Sequence, residues 1–209
     1  MDLIGQTFNT SCVDGYEGVW YSNAIEVLAN NKVHPIIFAA AVRELLTLGR
    51  GKNRNVLIVG PSNCGKTFLL KPLEVIFKVF SNTASDKYAW VGVEDSEIIL
   101  LNDFRWSSEI IEWKSFLLLL EGDTVRFPAP KNQFNRDIIL EKDIPILATS
   151  KCEITYRGKF NSEDKIEDEM MRSRWKVFQF FYQIPMDEQK NTPPCKKCFV
   201  DLIMLGNLG

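Results

Sequence analysis

The spacing of apolar residues divides the chain into a helical opening, an alternating middle and a short mixed tail. From Gly18 to Asn31 the residues Val19, Trp20, Ala24, Ile25, Val27 and Leu28 recur at helical spacing, and Asn30 and Asn31 mark a stop. A second helix is expected after Pro35, burying Ile36, Ile37, Phe38, Ala41, Val42, Leu45 and Leu46 and ending near Gly49 and Gly51. NVLIVG (55–60) is a short apolar, β-branched run bounded by charge and glycine, which predicts a buried strand. GPSNCGKTFLLKPLEVIFKVF (60–80) then carries Phe68, Leu69, Leu73, Ile76, Phe77 and Phe80 at helical spacing, with Pro72 expected to bend that helix without ending it. Further strands are predicted at YAWVGV (88–93), EIILL (97–101), RDIIL (136–140) and IPILATS (144–150), with a helix over 110–122 between them. Strands alternating with helices predict an α/β domain around a mostly parallel central sheet.

Composition narrows this picture only a little. The 209 residues are 45% hydrophobic and 25% charged, with a net charge of −2, so the chain can bury a core and carries no global basic field. Nucleic-acid contact would have to come from a local patch. No apolar run reaches the ~20 residues of a membrane span, and the N-terminus lacks a basic-then-apolar signal pattern. Five cysteines at irregular spacing suit reduced thiols, which makes an intracellular location, nucleus or cytoplasm, the expectation.

The strongest motif is GPSNCGKT, residues Gly60, Pro61, Ser62, Asn63, Cys64, Gly65, Lys66 and Thr67, which matches G-x-x-x-x-G-K-[ST] between a strand and a helix. The two glycines let the backbone curl so that successive N–H groups face a phosphate chain, and the helix N-terminus adds positive potential. Lys66 supplies a cation for the β- and γ-phosphates, and the Thr67 hydroxyl is a ligand for Mg²⁺. Cys64 reads as small filler, although a thiol there would expose ATP binding to alkylation. Downstream, EIILLNDFRW (97–106) brings Asn102 and Asp103 to the end of a strand. One carboxylate suffices to hold Mg²⁺ through its waters. Asn102 can accept a hydrogen bond but cannot take a proton.

This order of motifs resembles the superfamily 3 helicase domain of replication initiators from circovirus-like and parvovirus-like DNA viruses and related genomic elements. The resemblance covers roughly residues 34–182. It implies a P-loop NTPase of AAA+-like, three-layer form, preceded by a small N-terminal helical subdomain. It also implies ATP and Mg²⁺ as cofactors, a homo-oligomeric ring, hexameric in the family, and single-stranded DNA as the track. By the same resemblance LLLLEGDTVRFPAPKNQFNRDIIL (117–140) contains a pore hairpin, with Lys131 the leading DNA contact and Arg126 and Arg136 its neighbours. IPILATSK supplies a sensor strand whose polar end is Thr149 or Ser150. Arg172 or Arg174 reaches the neighbouring subunit's nucleotide. In circular-genome initiators two acids commonly precede the Phe of the second motif, and Asn102 stands in place of the first, which bears on hydrolysis more than on binding.

Residues 1–50 are therefore read as a helical oligomerisation collar, 51–185 as the ATPase core and 186–209 as an appendage after Pro193 and Pro194. The appendage holds one C-x-x-C, Cys195 and Cys198, short of the four ligands of a closed zinc site, with Cys12, Cys152 and His34 scattered singly. The FVDLIMLGNL that follows is apolar enough to pack on the core or on a neighbour. A single histidine excludes the paired metal-binding histidines of an initiator endonuclease. Two functional readings follow: an ATP-hydrolysing helicase motor in DNA replication, or a nucleotide-gated oligomerising module with weak hydrolysis and no unwinding. A small-molecule kinase would need an arginine-rich lid, and none is evident.

Overall fold

The computed structural model describes residues 11–13, 15–81, 88–130, 137–156 and 164–207. The main sheet has five strands: β1 (Asn55–Val59), β2 (Val79–Ser81), β3 (Ile98–Leu101), β6 (Ile146–Ser150) and β7 (Trp175–Gln179). Their order is β2-β3-β6-β1-β7, and every pair is parallel. Parallel pairing brings all C-terminal strand ends to one edge, the edge where open α/β sheets place ligands.

Alternation along the strands feeds two cores. Val56 and Ile58 of β1 and Ile98 and Leu100 of β3 face one side, while Leu57, Val59, Ile99 and Leu101 face the other. On the first side lie α1 (Val19–Asn30), α2 (Pro35–Leu48), α3 (Lys66–Leu70), α4 (Leu73–Ile76) and α7 (Lys196–Met204). Trp20 of α1 stacks on Phe68 and meets Phe199 of α7 edge-on, so the opening helices and the C-terminal helix share one cluster with the sheet. The boundaries expected near 50 and 185 run through a continuous core. On the second side lie α5 (Trp113–Glu121) and α6 (Lys165–Arg172), with the antiparallel hairpin β4 (Val125–Phe127) and β5 (Ile138–Leu140). Arg50, fully buried, joins these parts by donating to the carbonyls of Leu119, Leu140 and Lys142.

Two elements differ from the sequence expectation. Pro72 splits the helix after the phosphate loop, because it lacks an N–H, and the chain turns out to form β2 with Phe80 in it. YAWVGV is no strand: Tyr88–Val91 forms turns, Gly92 adopts φ 88°, and Val93–Asp95 is a single 3₁₀ turn. Its aromatics serve packing instead. Trp90 stacks between Phe80 and Phe127 at 5.6 and 4.6 Å and donates through Nε1 to Ile110 O at 2.9 Å.

Candidate nucleotide site

Residues 60–65 turn from β1 into α3 along the ligand edge. Two glycines are required there by what surrounds them. A Cβ on Gly60 would fall 2.4 Å from Phe180 O, where the chain leaves β7. Gly65 has φ 89°, and its Cβ would meet Val27 Cγ1 at 2.5 Å. Close packing thus adds to the conformational demand that the motif already makes on the backbone. Lys66 is 8% exposed and folds its ammonium onto the loop, donating to Gly60 O at 2.7 Å and Pro61 O at 2.5 Å. Cys64, 1% exposed, points its thiol at Pro61 O, so burial shields it from the alkylation its position suggests.

The loop faces the end of β3 across an intervening strand. Strands lie about 4.8 Å apart, so β1 and β3 are separated by about 10 Å with β6 between them. Thr149 of β6 closes that gap. Its hydroxyl donates to Asn102 Oδ1 at 2.8 Å and accepts the Asp103 N–H at 2.7 Å, while its carbonyl accepts the Phe104 N–H at 2.7 Å. Thr67 Oγ1 donates to the same Asn102 Oδ1 at 3.1 Å. One amide oxygen therefore joins the phosphate loop to the acidic turn through two hydroxyls. Asp103 holds φ 50°, a left-handed conformation that Asp tolerates, and its exposed carboxylate lines the cavity beside Asn102 and Thr67.

The cavity is about 450 Å³. Its floor includes residues 62–67, Asn102, Asp103 and Thr149, and its far wall is built by α1 and the segment after β7. Asn23, Glu26 and Lys190 meet there, with Lys190 Nζ 2.6 Å from Glu26 Oε2 and 3.2 Å from Asn23 Oδ1. Behind the loop, Asn31 is 2% exposed and uses its whole side chain. Its Nδ2 donates to Cys64 O at 3.3 Å and Val27 O at 2.9 Å; its Oδ1 accepts the N–H groups of Phe181 and Tyr182 at 2.8 and 2.9 Å. The sequence marks Asn31 only as a helix stop. Its role depends on β7 emerging beside the loop, which no local pattern announces.

Not every expected residue converges on the cavity. Ser150 is buried and outside the lining, and its carbonyl accepts the Gly60 N–H at 3.0 Å, while Thr149 lines the cavity. Arg174 is a correction. It is 6% exposed, its guanidinium donates to Leu117 O and Met170 O, and it pairs with Glu121. Each of its three nitrogens is engaged inside its own chain, and its burial keeps it from being presented to a neighbour. Arg172, on the last turn of α6, is 69% exposed and pairs with Glu153 at 2.9 Å. Arg126 is exposed on β4 opposite Ile139. Lys131 and Arg136 lie outside the described residues.

A glycine-braced G-x-x-x-x-G-K-T loop, a buried lysine and an acidic turn thus lie together at one edge of a parallel α/β sheet. The family model described as papillomavirus helicase matches residues 4–196, and the chain belongs to that family, within helicase superfamily 3. No curated protein matches the chain. Among solved structures, a JCV helicase bound to a thiazolopyridinyl-phenoxyphenyl acetamide superposes with a TM-score of 0.56 at 13% identity, over 86% of this chain and 52% of that one. The apo C-terminal region of NrS-1 superposes with a TM-score of 0.54 at 12% identity, over 96% of this chain and 46% of that one. At such identities the likeness is one of fold, and the chain spans about half the length of both structures.

Proposed function

We propose that this domain is an ATP-hydrolysing motor that moves on single-stranded DNA as a homo-oligomeric, hexameric ring in DNA replication, working in the nucleus or cytoplasm. The observation that carries the proposal is the bridge from Thr67 through Asn102 to Thr149, which holds Asp103 across the cavity from the phosphate loop. The residues present fit Mg·ATP. The N–H groups of residues 62–67 and the Lys66 ammonium suit the phosphates, and the Thr67 hydroxyl and Asp103 suit the ion and its waters. Bound Mg·ATP would supply the electrophilic γ-phosphoryl group. For its part the chain turns Lys66 from the loop carbonyls toward the anion, holds Asp103 in register through Thr149, and directs a water with the Asp103 carboxylate. In the ring, Arg172 would leave Glu153 and face the neighbouring subunit's nucleotide. Lys131, Arg126 and Arg136 would contact DNA phosphates, which reads no sequence and suits a motor.

A second reading rests on Asn102. An amide next to the single acid adds no negative charge and accepts no proton, which favours a nucleotide-gated assembly module with slow turnover. ATP turnover with and without single-stranded DNA, at two protein concentrations, distinguishes the two. The motor gives DNA-stimulated turnover that rises more than in proportion to protein, and none in Lys66→Ala. DNA-indifferent turnover with ATP-dependent oligomers supports the module. Undiminished turnover in Lys66→Ala overturns both.

A further inference from the structure

Outside the lining of the nucleotide cavity, three cysteines from opposite ends of the chain meet. The ligand atoms of Cys12, Cys195 and Cys198 all lie within 4.8 Å of one another, and Cys12 Sγ and Cys198 Sγ are 3.6 Å apart. Cys195 and Cys198 are 2% and 1% exposed, while Cys12 is half-buried and faces the outside of the cluster. Among the described residues no other group of His, Cys, Asp and Glu converges in this way.

Two helix N-termini point at these sulfurs. Cys195 is the N-cap of the nine-residue α7, and its sulfur accepts the Cys198 N–H at 3.5 Å and the Val13 N–H. The twelve-residue α1 has Gly18 at its N-cap with no side-chain cap, and the Tyr21 N–H in its first turn donates to the Cys198 sulfur. The trio thus sits among main-chain donors at the starts of two helices, although burial pushes the Cys198 thiol up to about 12. A zinc–thiolate bond of ~2.3 Å places tetrahedral sulfurs about 3.8 Å apart, close to the Cys12–Cys198 separation and inside the span of the trio. A disulfide needs ~2.05 Å, so no bond joins the pair.

We propose that Cys12, Cys195 and Cys198 are a three-thiolate site for a thiophilic d¹⁰ cation, Zn²⁺, whose fourth position on the Cys12 side is filled by solvent. Binding releases the three thiol protons to solvent and changes no oxidation state. The ion would tie residues 11–13 to α7 and to the start of α1. The other end of α1 props the phosphate loop through Val27 and Asn31, so the site braces the nucleotide cavity from behind.

The test uses the full chain, reduced and stripped of metal, titrated with Co²⁺ and then Zn²⁺. The expected result is one equivalent of Co²⁺ with the thiolate charge-transfer and ligand-field bands of a tetrahedral sulfur site, displaced by Zn²⁺. C12S and C195S should each lower the Co²⁺ affinity at least tenfold. In C195S the hydroxyl still caps α7, which keeps the fold while removing a soft ligand. C152S, which alters an exposed thiol outside the cluster, should bind as the parent does. Folded, fully reduced parent protein that takes up no Co²⁺ overturns the proposal. So does uptake that C12S and C195S leave unchanged, or a Cys12–Cys198 disulfide that forms in air in the presence of excess Zn²⁺.

Discussion

At the scale of single residues, side chains behind the glycine-rich loop shape the candidate site along with those that line it. Asn31 fills all its hydrogen-bonding capacity with backbone: the loop through Cys64 O, its own helix through Val27 O, and the exit of β7 through two N–H groups. Asn31→Ala would orphan those two buried donors and free the loop. Each unmatched buried group costs about 1–3 kcal/mol. The expected outcome is a drop in unfolding free energy of that order together with weaker Mg·ADP binding, read by chemical denaturation and calorimetry. Unchanged affinity in the folded variant would mean that the loop holds its shape without this prop. Asn102 has a different task, since its oxygen serves two hydroxyls at once. Asn102→Asp keeps an acceptor there and adds a second carboxylate, so turnover should rise severalfold while nucleotide affinity changes little. Stopped-flow phosphate release checks this, and a fall in turnover would show that the amide is the better partner for Thr67 and Thr149.

Among elements, the β4–β5 hairpin shows how one piece can be both anchored and available. Val125, Phe127, Ile138 and Leu140 are buried against the second core, with Phe127 stacked on Trp90, while Arg126 and Ile139 face outward at paired positions. Alternation along two short strands divides the hairpin into a root and a working face. Arg126→Glu therefore alters charge without disturbing the root, and Lys131→Glu is tested beside it. Both should weaken single-strand binding by tenfold or more at low salt, flatten its salt dependence by about one phosphate contact each, and leave ATP affinity intact. Fluorescence anisotropy against salt measures this, and equal loss of both affinities would point to a folding defect. Helix α1 is the counterpart on the opposite face, packed by Val27 against Gly65 and by Trp20 against α7.

For the whole molecule, the two arginines at and just after the end of α6 differ in what surrounds them. Arg174 lies inside the second core, held by two carbonyls and Glu121, whereas Arg172 stands outside and pairs with Glu153. Arg174→Ala removes a buried guanidinium together with its hydrogen bond to Leu117 O and its pair with Glu121, and should lower the melting temperature. Arg172→Ala removes an exposed ion pair worth well under ~1 kcal/mol and should leave stability unchanged. In the proposed ring the same Arg172→Ala chain should suppress turnover of parent subunits mixed with it, because the arginine acts on the next subunit's nucleotide. Linear dilution of activity with no suppression would place catalysis within one chain.

The phosphate loop, the acidic turn and the alternation of strands and helices were all legible in the sequence. Each is written in contiguous residues whose chemistry follows from spacing: glycines where the chain must curl, a lysine and threonine at a helix start, apolar runs that end in polar pairs. The hairpin was legible only through the family resemblance, since the apolar pattern marks RDIIL as a strand and leaves 125–127 unassigned. YAWVGV was misread because a short apolar run looks alike whether its aromatics lie along a strand or fold into a packing plug, and only the ring surfaces of Phe80 and Phe127 decide. Strand order, the burial of Arg174 beside an exposed Arg172, the prop at Asn31 and the meeting of Cys12 with Cys195 and Cys198 were decided by tertiary structure alone. All of these join residues far apart in the chain, and burial and hydrogen bonding at such contacts depend on which surfaces the folded sheet brings together.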